Sequence, residues 1–289
     1  MTEAGIRNAP TRTAALVALH VAVALFGFAA LFGKWITLPA TAIVLGRTVI
    51  AALTLAAVLA VRDRTLGPSR LALVVNGAIL AVHWVAFFTA VQVASVAVAL
   101  LGYATFPLFV LVLERRRSVS ASGGDTAIAA LTAAGLVVLA PQFTWSSDAF
   151  RGLALGVASG FTFAWLSVRS KRLVATVSAT RIAFWQNAFA AAFLVPVVAL
   201  ASPVPGWPAV GDWMLIVVLG VVCTGLAHTL FIASMQRVSA HTASIVAALE
   251  PVYGILLAVV LLHEFPDVRT MLGGALIVAA ALIASRRRA

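Results

Sequence analysis

The sequence predicts an all-α integral membrane protein, with ten transmembrane helices arranged as two inverted five-helix repeats and both termini in the cytoplasm. Three observations carry that expectation. Of 289 residues, 63% are hydrophobic and only 10% charged, with a mean hydropathy of +1.09. That is more apolar surface than one water-soluble core can bury, which excludes a soluble enzyme. The basic residues fall almost entirely in alternate connections, and the second half of the chain repeats a sparse polar and proline pattern of the first. A bilayer-spanning helix takes about 20 residues, so ten spans use about 200 and leave about 90 for tails and connections. No soluble domain fits in that remainder.

Taken in order, the first apolar run, 14–32, has no cleavage-site pattern behind it and reads as a retained helix, closed by Lys34 and Trp35. Runs 40–61, 71–91, 93–113 and 126–141 follow; the second carries Arg47, the third His83 and Trp84, and the fourth Pro107. Phe143 and Trp145 behind the fifth run read as interface anchors. The second five are 152–168, 179–201, 213–235, 241–262 and 268–284. Gly152, Gly156 and Gly160 share one face of the sixth, where a neighbouring helix can approach closely. The stretch 202–208, SPVPGWP, reads as an outer turn, with Trp207 and Trp213 as anchors. Residues 1–145 and 146–289 thus form two repeats of a single membrane domain.

Of the 20 Lys and Arg, 16 lie on one side, among them Arg62, Arg64, Arg70, Arg115, Arg116, Arg117, Arg169, Lys171, Arg172 and Arg286. The other side holds only Lys34, Arg151 and Arg269. Short cytoplasmic loops retain positive charge, so both termini are expected inside, which requires an even number of spans. The formal charge of +11 therefore reads as topology and contact with anionic lipid, not as a nucleic-acid surface. The single cysteine, Cys223, forms no intrachain disulfide, and no Cys/His spacing points to a metal or cofactor.

An offset of 144 residues aligns FFTAVQVAS at 87–95 with FIASMQRVS at 231–239, and Pro107 with Pro251. A slightly smaller offset pairs the Phe26 to Lys34 end of the first run with the Phe163 to Lys171 end of the sixth. Five spans per repeat is odd, so the second copy must sit inverted relative to the first.

These residues resemble the drug/metabolite transporter superfamily of the EamA type. The resemblance rests on SAHTAS at 239–244, LEPV at 249–252, LHE at 262–264 and Gly273-Gly274. Its degenerate counterpart is ASVAVAL at 94–100 with Phe106-Pro107. Within the superfamily the chain is similar to the YddG-like amino-acid exporters through His83-Trp84, Tyr103 and the Leu-Glu-Pro motif. The resemblance implies inner-membrane export of amino acids, aromatic ones especially, through a cavity between the repeats.

Charges inside hydrocarbon cost about 2.5–3.5 kcal/mol each on insertion scales, so each needs a reason. Glu250 sits near mid-span beside Pro251, which removes a backbone hydrogen bond. It either lines a pathway and binds an ammonium group or proton, or it is a structural residue, protonated or paired with a neighbouring helix. Arg47 either meets a substrate carboxylate or holds neighbouring carbonyls, and the structural reading is preferred. His83 and His228 occupy nearly equivalent places in the repeats, each with an aromatic on its own helical face, Phe87 and Phe231. Each histidine either bonds substrate or packs. Trp84, Tyr103 and Trp165 are candidate walls, Ser244 a neutral hydrogen-bonding group, and Pro107 and Pro251 candidate kinks. Gln92 and Gln236 lie at span ends as candidate caps.

Secondary transport of amino acids by alternating access leads on this evidence. Export of cationic drugs or other metabolites through Glu250 is the alternative. The sequence contains no Gly-x4-Gly-Lys-Ser/Thr loop, and no ATPase partner is implied. A lipid-acting enzyme would need a clustered acid, base or metal set on one span, which the sequence lacks. His263-Glu264 lies at an outer helix end, where a cap is the simpler reading.

Overall fold

The computed structural model describes residues 11–62, 71–115, 123–139, 146–201 and 208–286, which form helices and connections with no strand among them. Three long helices open the chain: α1 (Arg12–Trp35), α2 (Ala40–Arg62) and α3 (Leu71–Val93). Two short ones, α4 (Val96–Tyr103) and α5 (Phe106–Arg115), precede α6 (Gly123–Leu139). Then come α7 (Asp148–Leu173) and α8 (Ala179–Leu200). Next, α9 (Val210–Gly220) runs through a π-helical segment (Val221–Leu226) into α10 (Ala227–Ser234). The chain closes with α11 (Ala240–Ala247), α12 (Glu250–Leu262) and α13 (Val268–Arg286). Among the described residues, six helical stretches are long and apolar enough to cross a bilayer: α1, α2, α3, α7, α8 and the continuous 210–234. The chain is thus a multi-pass membrane protein.

Several predicted boundaries move, each for a local reason. Val93 ends α3, and the next span begins only at Val96, because Ser95 in extended backbone caps it by accepting from the Val98 amide. The sixth span is longer than 152–168, since Ser147 caps it by accepting from Phe150 N and Asp148 favours its positive N-terminal end. The spans predicted as 93–113 and 241–262 are each two helices. Pro107 and Pro251 stand second in α5 and α12, where a missing N–H costs nothing, and the backbone turns tightly at 104–105 and 248–249 before them. Both kinks expected at these prolines are therefore full breaks. The span predicted as 213–235 is interrupted by the π-helical segment.

Helix ends are tied across the bundle. Gln92 Oε1 accepts from Ala40 N and its Nε2 donates to Leu38 O, so it caps the start of α2 instead of the end of its own helix. His263, left-handed at φ 55°, ends α12, and Glu264 caps not its own helix but α4, accepting from Val96 N at 2.8 Å. Asp212 accepts from the amide and hydroxyl of Thr37, joining the α1–α2 connection to α9.

With lipid as apolar as leucine, close backbone approach and polar contacts must hold such helices together. The glycine face of α7 does this. A Cβ on Gly156 would lie 2.8 Å from Ala99 O, and one on Gly160 2.8 Å from Tyr103 O, so α7 presses directly on α4 and the break behind it. Across the bundle, Gly27 of α1 meets Gly254 N of α12 in the same way, at 2.9 Å. α3 lies against α7 and α8, while α1 lies against α10 and α12, so the core is built from both halves of the chain.

Phe143, Trp145 and Trp207, most of the turn 202–208, and Arg7, Arg64, Arg70, Arg116, Arg117, Arg287 and Arg288 lie outside the described residues.

Candidate functional site

The two chain breaks and the glycine seams bring six of the predicted site residues around one cavity at the centre of the bundle. His83, Trp84 and Phe87 reach it from α3, Tyr103 from the end of α4, His228 from α10, and Glu250 from the first position of α12. Phe26, Ala29, Arg47 and Phe163 complete the lining. The open space is about 30 Å³, where one water needs about 10–15 Å³. It takes about two waters, and an amino acid enters only after the helices move apart.

The polar groups divide into two poles. On one, Tyr103 lies beside Glu250, whose Oε2 has no hydrogen-bond partner. On the other, Arg47 is 2% exposed, and its Nε donates to Thr224 Oγ1 at 2.9 Å. Its Nη2 reaches Cys223 O at 3.5 Å, and the guanidinium lies 4.0 Å from the Trp84 ring centroid and 5.1 Å from that of Phe88. Cation–π contacts of this kind contribute about 2 kcal/mol when desolvated. Both acceptors belong to the π-helical segment. There the widened turn lets Thr224 Oγ1 bond Leu219 O five residues back while its oxygen also accepts from Arg47.

The histidines are anchored rather than loose. His83 Nδ1 lies 2.8 Å from Ser159 Oγ and 3.0 Å from Ser159 O, and its ring stacks on Phe163 at 4.9 Å. His228 Nε2 meets Gln186 Oε1 at 2.8 Å, and Gln186 Nε2 donates onward to Ser170. Since that amide oxygen accepts, His228 donates through Nε2, and its Nδ1 is left as an unpartnered buried acceptor. The wall is aromatic throughout: Tyr103 stacks on Phe106 at 5.8 Å, and Trp84 meets His228 edge-on at 5.8 Å.

Three predicted residues stand elsewhere. Phe231 is one layer behind the cavity, packed on Phe26 at 5.7 Å and Phe163 at 5.2 Å. Ser244 is buried in α11, away from the lining. Trp165 is 41% exposed on the outer face of α7 beside Phe161. On α7 it is Phe163, three residues from Gly160, that shares the inward face; a residue five away is turned well off it. Arg47 is the lining residue for which the sequence favoured a purely structural place. Gln186 and Ser159 were not singled out, because a single Gln or Ser in an apolar run carries no periodic signal.

A cavity lined by aromatic rings, a carboxyl group and a guanidinium in the middle of an apolar multi-helix bundle is the kind of site that takes a small molecule. Residues 150–286 match the EamA-like transporter family. The chain is 31% identical over 152 residues to an uncharacterized transporter of Archaeoglobus fulgidus, a match covering 53% of this chain and 54% of that one. It thus spans about half the length of that relative. It is 29% identical over 255 residues to a biotin transporter of Escherichia coli strain K12, covering 84% of this chain and 83% of the relative. A solved crystal structure superposes with a TM-score of 0.71 over 96% of this chain and 100% of the other at 23% identity, which shows the fold. The family match covers just under half of this chain, and together with the transporter relatives it supports a transport role.

Proposed function

We propose that this chain is an inner-membrane secondary transporter that exports amino acids, aromatic ones among them. It works by alternating access between two inverted five-helix repeats, 1–145 and 146–289, with both termini cytoplasmic. The observation that carries the reading is the cavity itself, lined by a guanidinium, a carboxyl group and aromatic rings contributed by both halves. An ammonium group finds Glu250 and the aromatic faces, and a flat side chain finds Trp84, Phe87 and Phe163.

Several contacts support the inverted repeat. Joining α4 with α5, α9 with α10 and α11 with α12 gives ten spans. The breaks at 104–105 and 248–249 differ by the 144-residue offset that relates the halves. Residues aligned by sequence meet at the centre: Phe26 with Phe163 at 6.2 Å, and Trp84 with His228 at 5.8 Å. Lys34 donates to Ala94 O and Lys171 to Val238 O, carbonyls the same offset apart. A pseudo-twofold axis through the cavity produces such pairs.

The test is efflux from liposomes holding purified chain, with labelled Phe, Trp, Thr, Met, biotin, a cationic drug and a nucleoside, with and without a pH gradient. Amino-acid efflux lost in His83→Ala supports the reading. Movement of the cation alone, stopped by Glu250→Gln, favours the cationic-drug alternative, and movement of biotin alone assigns the chain the substrate named for its relative.

A further inference from the structure

Arg47 is more elaborately seated than a packing residue needs to be. A guanidinium carries five N–H donors, and the two contacts described for it use two, both on neutral oxygens of the π-helical segment. The second, at 3.5 Å, is at the outer limit of a hydrogen bond. A buried cation of this kind calls for an anion. Glu250 lines the same cavity, yet among the described residues no ion pair within 4.0 Å joins the two. Its Oε2 is unpartnered as well. The cavity thus holds a guanidinium 4.0 Å from the Trp84 ring centroid and, beside Tyr103, a carboxyl group that is not in contact with it.

We infer that Arg47 is the carboxylate anchor of the transport site, and that its substrates are small dipolar carboxylates spanning from Arg47 to Glu250. The inference rests on the transport reading and deepens it. The planar fork accepts a carboxylate through two parallel N–H bonds, a geometry an ammonium cannot reproduce. Trp84 and the π-helical segment hold that fork in place. Solutes with an amine but no carboxylate leave Arg47 uncompensated, so the site disfavours them.

The experiment measures binding to the purified full chain in detergent by ligand-dependent thermal stabilisation. The probes are L-phenylalanine, its amide (ammonium without carboxylate) and 3-phenylpropanoate (carboxylate without ammonium). Wild type is expected to bind phenylalanine about 10- to 100-fold more tightly than the amide, the range of one charge-assisted contact. Arg47→Gln abolishes 3-phenylpropanoate binding and brings phenylalanine down to the amide, whereas Glu250→Gln weakens phenylalanine and spares 3-phenylpropanoate. Thr224→Val keeps the cation but loosens its seat, giving an intermediate carboxylate-selective loss should Arg47→Gln not fold. Equal loss for all three probes, an unchanged phenylalanine-to-amide ratio, or no stabilisation of wild type by either carboxylate overturns the inference. Arg47-dependent 3-phenylpropanoate binding without phenylalanine movement in liposomes leaves the anchor standing and removes the amino-acid reading. Phenylalanine movement with an unchanged ratio in Arg47→Gln does the reverse.

Discussion

Replacing Gly160 by Ala tests whether the seam between α7 and the break after α4 sets the site. A methyl there would meet Tyr103 O at 2.8 Å, Thr105 Oγ1 at 3.1 Å and Phe106 N at 3.3 Å, against about 3.4 Å for ordinary contact. Two of the three atoms are backbone, so the chain break itself must retreat by about 0.6 Å, the difference between 2.8 and 3.4 Å. Overpacking of this kind costs about 1–3 kcal/mol. Against it stands the gain of about 1 kcal/mol that Ala brings over Gly inside a helix. The net expectation is destabilisation of up to about 2 kcal/mol, together with displacement of Tyr103 in the cavity wall. Gly211→Ala is the control, because nothing lies within 4 Å of its methyl. Melting in detergent should fall by a few degrees for Gly160→Ala and not for Gly211→Ala, and transport in liposomes should fall in the same order. A Gly160→Ala protein that melts at or above wild type would refute the claim that this backbone contact is tight.

Tyr103→Phe removes the hydroxyl beside the buried Glu250 and should cost about 1 kcal/mol; an unaltered melting temperature counts against a contact between the two. Lys171→Met should destabilise more than Lys34→Met, since Lys171 is partly buried and donates to both Met235 O and Val238 O, whereas exposed Lys34 donates to Ala94 O. Equal melting of the two variants argues against that difference. Asp212→Ala removes both acceptors of Thr37, so amide exchange at Thr37 should quicken about fivefold for a loss near 1 kcal/mol, and unchanged exchange counts against the latch.

Much of the site was legible because the bilayer makes polarity expensive. Glu250, His83 and His228 stood out as the few titratable groups in apolar runs, and all three line the cavity. Pro107 and Pro251 marked the breaks, since proline is best placed in the first turn of a helix, where its missing N–H leaves no bond unmade. The π-helical segment was not legible: VVCTGL carries no proline, and its widening appears only when Thr224 bonds Leu219 O and holds Arg47. Arg47 was seen but preferred as structural, because its long stem gives no direction in sequence; the ring of Trp84, from another helix, supplies it. Trp165 was weighed by residue type, and its place on α7 sends it outward instead.

The central claim is that small amino acids cross the membrane through this cavity, and counterflow in proteoliposomes measures it most directly. Vesicles preloaded with unlabelled phenylalanine should take up labelled phenylalanine transiently, with saturation and without ATP, and Arg47→Gln should suppress that uptake. Absence of counterflow with every amino acid, alongside a cationic drug whose exchange stops in Glu250→Gln, would contradict the account and make the same cavity a cation site.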